Sequence, residues 1–285
     1  MDINGDGHHD ILSGSYSRME QAMAGLFQVL YGNADRTFRK AEVLKGTDGG
    51  PLIIPISEPM TENICTRPFA VDWDADGHLD LVVGNFTGTF YWFKGEGKGK
   101  FGPKPQAINA GDKPLKIEGV HSDPFVVDWD GDGDLDLLSG TSNGGVQLAQ
   151  NGAGKGKLPE LRPFQWLIKS GPRAAHGSLL NEEQLTGPTT STRVWADDVN
   201  GDGKLDLLVG DSVTLVSPAR GLSETEFKEK YATWQEASAR MSKQMSAADA
   251  TQRGKAQQEF QKLYQKRSEF MNEDATGFVW LYLQK

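Results

Sequence analysis

Cysteine is nearly missing from this sequence: Cys65 is the sole one among 285 residues. No intrachain disulfide framework is therefore possible, and a lone thiol in a Thr/Ile/Asn neighbourhood without a thiolate-activating signature reads as a small buried apolar residue. Long hydrophobic runs are also missing. None approaches the ~18 apolar residues of a membrane span, which argues against membrane insertion. Basic residues are outnumbered, with 30 Lys and Arg against 39 Asp and Glu and a net charge of −9. That balance disfavours nucleic acid and anionic membranes as partners, since both need a concentrated basic surface, and suits a cation better. The hydrophobic fraction of 37% is enough to bury a core in one large domain or two ordinary ones.

The acidity is patterned. Asp128-Trp129-Asp130-Gly131-Asp132-Gly133-Asp134-Leu135-Asp136 runs into Leu137-Leu138-Ser139-Gly140, and the same design begins at Asp2, Asp72 and Asp198. The starts lie 70, 56 and 70 residues apart, at or just above the spacing of internal repeats. Positions 1, 3, 5 and 9 carry three carboxylates in the first and last copies and four in the middle two, fourteen of the 39 acidic residues.

Each of the three later copies is entered by a short apolar segment, Pro68–Val71, Pro124–Val127 or Arg193–Ala196, and left by Leu-Asp-Leu-Val-Val-Gly or a variant. Period-2 alternation and β-branched residues make both arms strands. A glycine turn, a third strand (Gly88–Phe93, Gly145–Ala149; Gly25–Leu30 in the first copy), a Gly/Lys turn and a fourth strand ending near Ile108 or Ile168 follow. Four short antiparallel strands, repeated, predict an all-β fold: a β-propeller with about four blades present. Connections 46–68, 110–123 and 170–192 are too long for hairpin turns and are the natural partner-binding segments. The first copy has no leading strand and no secretory leader before it. We therefore expect an N-terminally truncated propeller over 1–285, with any export signal upstream.

Region 222–272 departs from this pattern. Ser223-Glu224-Thr225-Glu226 is a capping box. Phe227, Tyr231, Trp234, Ser238, Met241 and Met245 then fall on one helical face. A second helical pattern, with Phe260, Leu263, Tyr264, Arg267 and Phe270, runs from about Ala247 to Met271. An inserted helical hairpin follows, placed between the second and third strands of the last blade, because Gly277–Leu283 again reads as a third strand.

In an Asp-x-Asp/Asn-x-Asp-Gly-x-x-Asp loop the side chains at positions 1, 3 and 5 converge only if the backbone curls, which glycine at position 6 permits. The carbonyl of position 7 turns inward and position 9 closes the shell. Six or seven oxygen donors select a hard cation of flexible geometry, Ca²⁺ before Mg²⁺. The expected ligands are Asp72, Asp74, Asp76, the carbonyl of His78, and Asp80; then Asp128, Asp130, Asp132, the carbonyl of Asp134, and Asp136. Asp198, Asn200, Asp202, the carbonyl of Lys204, and Asp206 form a further set, as do Asp2, Asn4, Asp6, the carbonyl of His8, and Asp10, for up to four ions. An EF-hand would need Glu at position 12 and flanking helices, whereas Ser13, Val83, Ser139 and Val209 stand there between strands. Acidic β-turns on a solvated rim are the plainer alternative.

These loops with their exit strands resemble the FG-GAP or VCBS repeats of integrin alpha-subunit propellers and of many bacterial secreted or surface proteins. The insertion closed by Gly277–Tyr282 resembles large environmental-bacterial proteins of that class, planctomycete-like ones included. The resemblance implies calcium in the loop joining the first two strands of each blade, with Asn4 and Asn200 weakening their sites. It also implies an extracellular, cell-surface or periplasmic, non-catalytic scaffold for adhesion or for a protein or glycan ligand. A carbohydrate-binding or polysaccharide-processing propeller enzyme is the alternative.

Other motifs carry less. Gly140-Thr141-Ser142-Asn143-Gly144 has the spacing of a nucleophile elbow but is followed by a strand pattern where that elbow needs a helix. Gly97-Lys98-Gly99-Lys100-Phe101-Gly102 lacks the βαβ setting of a nucleotide-binding loop. His8, His9, His78, His121 and His176 show no zinc-ligand spacing.

Overall fold

The computed structural model describes residues 1–15, 25–55, 63–171, 181–247 and 250–285. They form two compact units: 1–170, 188–211 and 279–285 make the first, and 171–187 with 212–278 make the second. The fold is all-β, built of antiparallel sheets with two α-helices.

The first unit holds four modules. Module one is a three-stranded sheet of β1 (Ile11–Ser13), β2 (Gln28–Leu30) and β3 (Glu42–Val43). Module two is the sheet β4 (Arg67–Val71), β5 (Asp80–Gly84), β6 (Phe90–Phe93) and β9 (Gln106–Ala107), with the Gly/Lys turn drawn into a small hairpin, β7 (Gly95–Gly97) and β8 (Lys100–Phe101). A second small hairpin, β10 (Asn109–Ala110) and β11 (Lys113–Pro114), leads to module three: β12 (Asp123–Val127), β13 (Asp136–Gly140), β14 (Val146–Ala149) and β15 (Gln165–Ile168). In module four, β16 (Thr190–Asp197) lies beside β17 (Asp206–Pro218). The latter pairs through Leu207–Gly210 with β19 (Val279–Tyr282); its continuation, Val213–Pro218, belongs to the second unit and pairs there with β18 (Met271–Thr276). The expected strands are present, and the third strand of module four does return after the helical insertion.

Alternation along these strands gives each sheet two apolar faces, and the cores lie between successive modules. Phe27 and Val29 of module one meet Leu81, Val83 and Phe93 of module two. Val82, Phe90 and Trp92 on the other side of module two meet Val126, Leu137 and Ala149 of module three. Leu138 and Val146 then meet Ala196, Leu207 and Val209 of module four. Trp73, at position 2 of its loop, is 2% exposed in the second of these cores, and Trp129 packs against the third. Cys65 is buried, as its composition context suggests.

The entry strands carry a second set of links at equivalent positions. Phe69 and Phe125 lie 5.1 Å apart and Phe125 and Trp195 5.4 Å apart, centroid to centroid. Five residues before position 1 of each of the three later loops stand Arg67, Asp123 and Arg193, and Asp123 lies between Arg67 (3.5 Å) and Arg193 (3.4 Å). Burial raises the Asp123 carboxyl above its usual range, opposed by the two guanidinium groups.

In the second unit, helices α1 (Glu224–Ala247) and α2 (Ala250–Gln265) pack together. The capping box forms: Ser223 N–H donates to Glu226 Oε2 at 2.9 Å, and Glu226 N–H to Ser223 Oγ at 3.3 Å. Phe227, Tyr231 and Trp234 stack in succession along α1. The Trp234 indole is edge-on to Tyr264 and donates to Leu263 O at 3.1 Å. Helix α2 stops at Gln265, six residues short of the Met271 expected from periodicity, and a 3₁₀ turn spans Lys266–Glu269. The reason is competition for backbone: Met271 pairs with Pro218 in an antiparallel ladder and is held extended, which ends the helical turn before it, and the Phe270 carbonyl, which a helix end leaves without a partner, accepts the N–H of Ala219. The apolar stripe continues past the helix all the same, with Phe270 buried and Arg267 over the Tyr264 ring at 3.4 Å. No helix among the described residues is long and apolar enough to cross a membrane.

Candidate metal centres

All four acidic stretches fold into the same loop. Glycine at position 6 adopts positive φ in each: Gly7 (87°), Gly77 (88°), Gly133 (92°) and Gly203 (85°). Position 1 then faces the loop's own amides. Asp128 Oδ1 accepts the N–H of Gly131 at 2.8 Å and its Oδ2 that of Gly133 at 2.9 Å, and Asp2, Asp72 and Asp198 take the matching N–H of Gly7, Gly77 and Gly203.

Position 9 fastens the loop to the sheet. One oxygen of each aspartate accepts the N–H of position 2: Ile3 to Asp10 (2.8 Å), Trp73 to Asp80 (2.9 Å), Trp129 to Asp136 (3.0 Å) and Val199 to Asp206 (3.1 Å). The other oxygen accepts an N–H from just beyond the third strand, from Gly32, Gly95, Asn151 and Gln284 respectively. These four carboxylates are buried, at 6%, 0%, 1% and 0% exposure. Burial raises the Asp80 carboxyl, with the charge of Asp74 adding to the shift, and pushes Asp136 up to about 6.

In the two middle loops, positions 1, 3 and 9 come together. Asp72, Asp74 and Asp80 each place a carboxylate oxygen within 4.8 Å of the others, and so do Asp128, Asp130 and Asp136. The position-5 aspartates Asp76 and Asp132 stand outside these groups and accept the N–H of His78 (2.9 Å) and Asp134 (3.0 Å). In the outer loops Asn4 and Asn200 donate to Asp6 Oδ2 (3.0 Å) and Asp202 Oδ2 (3.1 Å), while Asp6 and Asp202 accept the N–H of His8 and Lys204.

The middle loops fit a hard cation. Asp74 Oδ1 and Asp134 Oδ1 are buried and find no hydrogen-bond donor among the described residues, an arrangement that costs free energy unless a cation satisfies them. Asp134, at position 7, also brings a side-chain carboxylate that the other loops lack. It is 4% exposed, and its other oxygen accepts the Gly154 N–H at 2.9 Å.

Two further participants follow the third strands. Lys94 donates to Asp74 Oδ2 and, at 2.7 Å, to Asp76 Oδ2. Hydrogen bonding to Asp74 and then Asp76 raises the Lys94 ammonium, and its own bond lowers Asp76. The same register position in module three is Gln150, which reaches Asp130 Oδ2 at 3.4 Å. The acidic motif does not contain these residues; the signal for them is their place one residue before Gly95 and Asn151, the amides that clamp position 9.

Among the weaker motifs, Gly140–Gly144 is a turn in which Thr141 Oγ1 accepts the Asn143 N–H at 2.8 Å, and β14 follows it. Trp166 donates to Glu118 Oε2 at 2.8 Å. His176 lies outside the described residues, as do parts of the connections 46–68 and 170–192.

Repeated antiparallel sheets, each with an acidic loop between its first two strands and a buried aspartate clamping that loop, define a modular repeat protein. The family model described as FG-GAP-like repeat matches residues 72–139 and again 128–209. The chain is an FG-GAP repeat protein. No curated protein matches it.

Proposed function

We propose that this protein is a calcium-stabilised scaffold of propeller type, working outside the cytoplasm as a non-catalytic platform for a protein or glycan ligand. The carboxylate groups of the two middle loops carry the reading. Three aspartates per loop converge, with a buried oxygen awaiting a donor in each loop, and oxygen-only donors of high charge favour Ca²⁺ over softer or smaller ions. The ion's role is structural. It joins position 1, at the entry strand, to position 9, whose carboxylate already holds the third strand, so that binding ties three strands of one module. Asn4 and Asn200 keep an oxygen but remove a charge, which makes the outer loops the weaker sites.

Calorimetric titration of the chelator-treated protein with CaCl₂, followed by thermal melting, tests this. Two tight sites and a rise in Tm reversed by EDTA are expected. A Tm indifferent to both calcium and EDTA would refute the metal reading. A glycan array and hydrolysis assays on polysaccharides test the non-catalytic part, and turnover of any glycan would favour the polysaccharide-processing alternative.

A further inference from the structure

We infer that the third loop binds two cations: one held by Asp128, Asp130 and Asp136, and a second hard divalent ion held by the side chains of Asp132 and Asp134. The inference rests on the calcium reading of that loop and adds an ion beside the first. It starts from position 5, whose carboxylate stands outside the converging group in both middle loops. In every loop one oxygen of this aspartate accepts the N–H of position 7.

The other oxygen has a donor in three of the loops. Asn4 Nδ2 donates to Asp6 Oδ2 at 3.0 Å, Lys94 Nζ to Asp76 Oδ2 at 2.7 Å, and Asn200 Nδ2 to Asp202 Oδ2 at 3.1 Å. In the third loop Asp130 stands where the outer loops have asparagine, and Gln150 stands where the second loop has lysine and turns to Asp130 instead. No donor reaches Asp132 Oδ2 among the described residues. What stands beside it is a further acid, Asp134.

Position 7 is His8, His78 or Lys204 in the other loops, so this carboxylate is peculiar to the third. Asp134 is 4% exposed: its Oδ2 accepts the Gly154 N–H at 2.9 Å, while its Oδ1 is buried without a hydrogen-bond donor. Burial raises the Asp134 carboxyl, against the Gly154 bond, and Asp132, by its charge and a side-chain contact, and then the charge of Asp130 raise it further. A buried oxygen with no donor, set against a second carboxylate, is costly unless a positive charge lies between the two. Lys155 does not supply that charge: its methylenes lie beside Gly133, and no ion pair joins it to either aspartate among the described residues. The charge balance agrees. One divalent ion leaves three negative charges on the five carboxylates of the third loop, but a single one on the second loop with its four carboxylates and Lys94; a second ion brings the third loop to the same value. Two side-chain carboxylates with water completing the shell make a hydrated and weaker site, of a kind that hard divalent ions accept.

Equilibrium dialysis of the full chain at saturating free calcium counts the ions bound, and calorimetric titration with CaCl₂ gives the affinities. Asp134→Asn keeps the position-7 carbonyl and is expected to bind one calcium fewer than the wild type, its tight sites staying within a few-fold. Ions of the outer loops count equally in both. Circular dichroism checks the fold; if the variant is misfolded, Gln150→Lys replaces it, supplying the ammonium that the second loop already has, and is expected to lose the same ion. Equal counts in wild type and folded variant overturn the proposal. So does an unchanged count with a many-fold weaker tight site in Asp134→Asn, which would make Asp134 a ligand of the first ion. A wild-type chain that binds no calcium refutes the calcium reading and this inference together, whereas two tight sites with equal counts refute this inference alone.

Discussion

Asp206 accepts the backbone N–H of Gln284 at 3.0 Å across 78 positions of sequence. In modules two and three the same bond spans 15 positions, from Asp80 to Gly95 and from Asp136 to Asn151. The helical insertion therefore leaves the module's fastening in place, and the residues that make the fastening flank the insertion on both sides.

Asp206→Ala removes the acceptor for both the Val199 and the Gln284 N–H. With two buried donors orphaned, the loss expected is about 2–4 kcal/mol, and Asp206→Asn, which keeps one acceptor, should lose roughly half as much. Denaturant midpoints at unchanged slope measure both. Equal stability of the Ala variant and the wild type would show that the clamp carries no load.

Lys94 is a tethered cation inside a loop that otherwise attracts a free one, and a bound ion must displace its ammonium from Asp74 and Asp76. Lys94→Gln gives module two the residue that module three has in register. Calorimetry should show calcium binding to the second loop several-fold more tightly in the variant, with the third loop unchanged. A weaker second site would mean that Lys94 supports the loop rather than competing for it.

The raised carboxyl of Asp136 sets a pH dependence. In the metal-free folded protein this group takes up its proton near pH 6, whereas its ordinary value is 3.8. The native state then binds more protons than the unfolded chain in the interval between, so this group's contribution to stability falls as pH rises through it and is least favourable above about 6. Calcium needs the carboxylate and reverses that penalty. The calcium-induced rise in Tm should therefore be full at neutral pH and shrink as pH falls through about 6. A calcium shift constant from neutral pH to 5 would exclude Asp136 as a ligand.

Ala75 occupies position 4 of the second loop with φ of 59°, where Gly5, Gly131 and Gly201 stand in the other copies at 74°, 77° and 79°. A side chain in the left-handed region costs roughly 1 kcal/mol. Ala75→Gly should recover about 0.5–1 kcal/mol of that, less the added chain entropy of glycine. Thermal melts of the calcium-free protein give the sign. A destabilised variant would place the Ala75 methyl in a contact that outweighs the strain.

The acidic loops and the strands beside them were legible because the information is local. A glycine at position 6, carboxylates at alternate positions and a period-2 apolar exit strand sit within about a dozen residues, and four copies repeat them. The capping box at Ser223 and the Phe227, Tyr231, Trp234 stripe are local in the same way. The end of α2 was not legible: the helical pattern runs on to Phe270, but Met271 is held extended by pairing with Pro218, about fifty residues earlier in the chain. The ribbon of Val213–Pro218 with Met271–Thr276 was hidden for the same reason, since its two strands are separated by both helices.

By itself, then, the sequence determined that this is a repeating all-β protein with acidic loops suited to a hard cation, because loop curvature and strand alternation are properties of adjacent residues. The tertiary structure decided which carboxylates converge: positions 1, 3 and 9 meet in the middle loops, while position 5 is drawn off to a backbone amide. It also decided that Lys94 enters one loop and Gln150 the other, and that Trp195, Val279 and Leu281 are exposed where their counterparts in modules two and three are buried or half-buried. Those outcomes depend on which strand lies beside which and on what stacks against each sheet, and a local pattern carries no record of either.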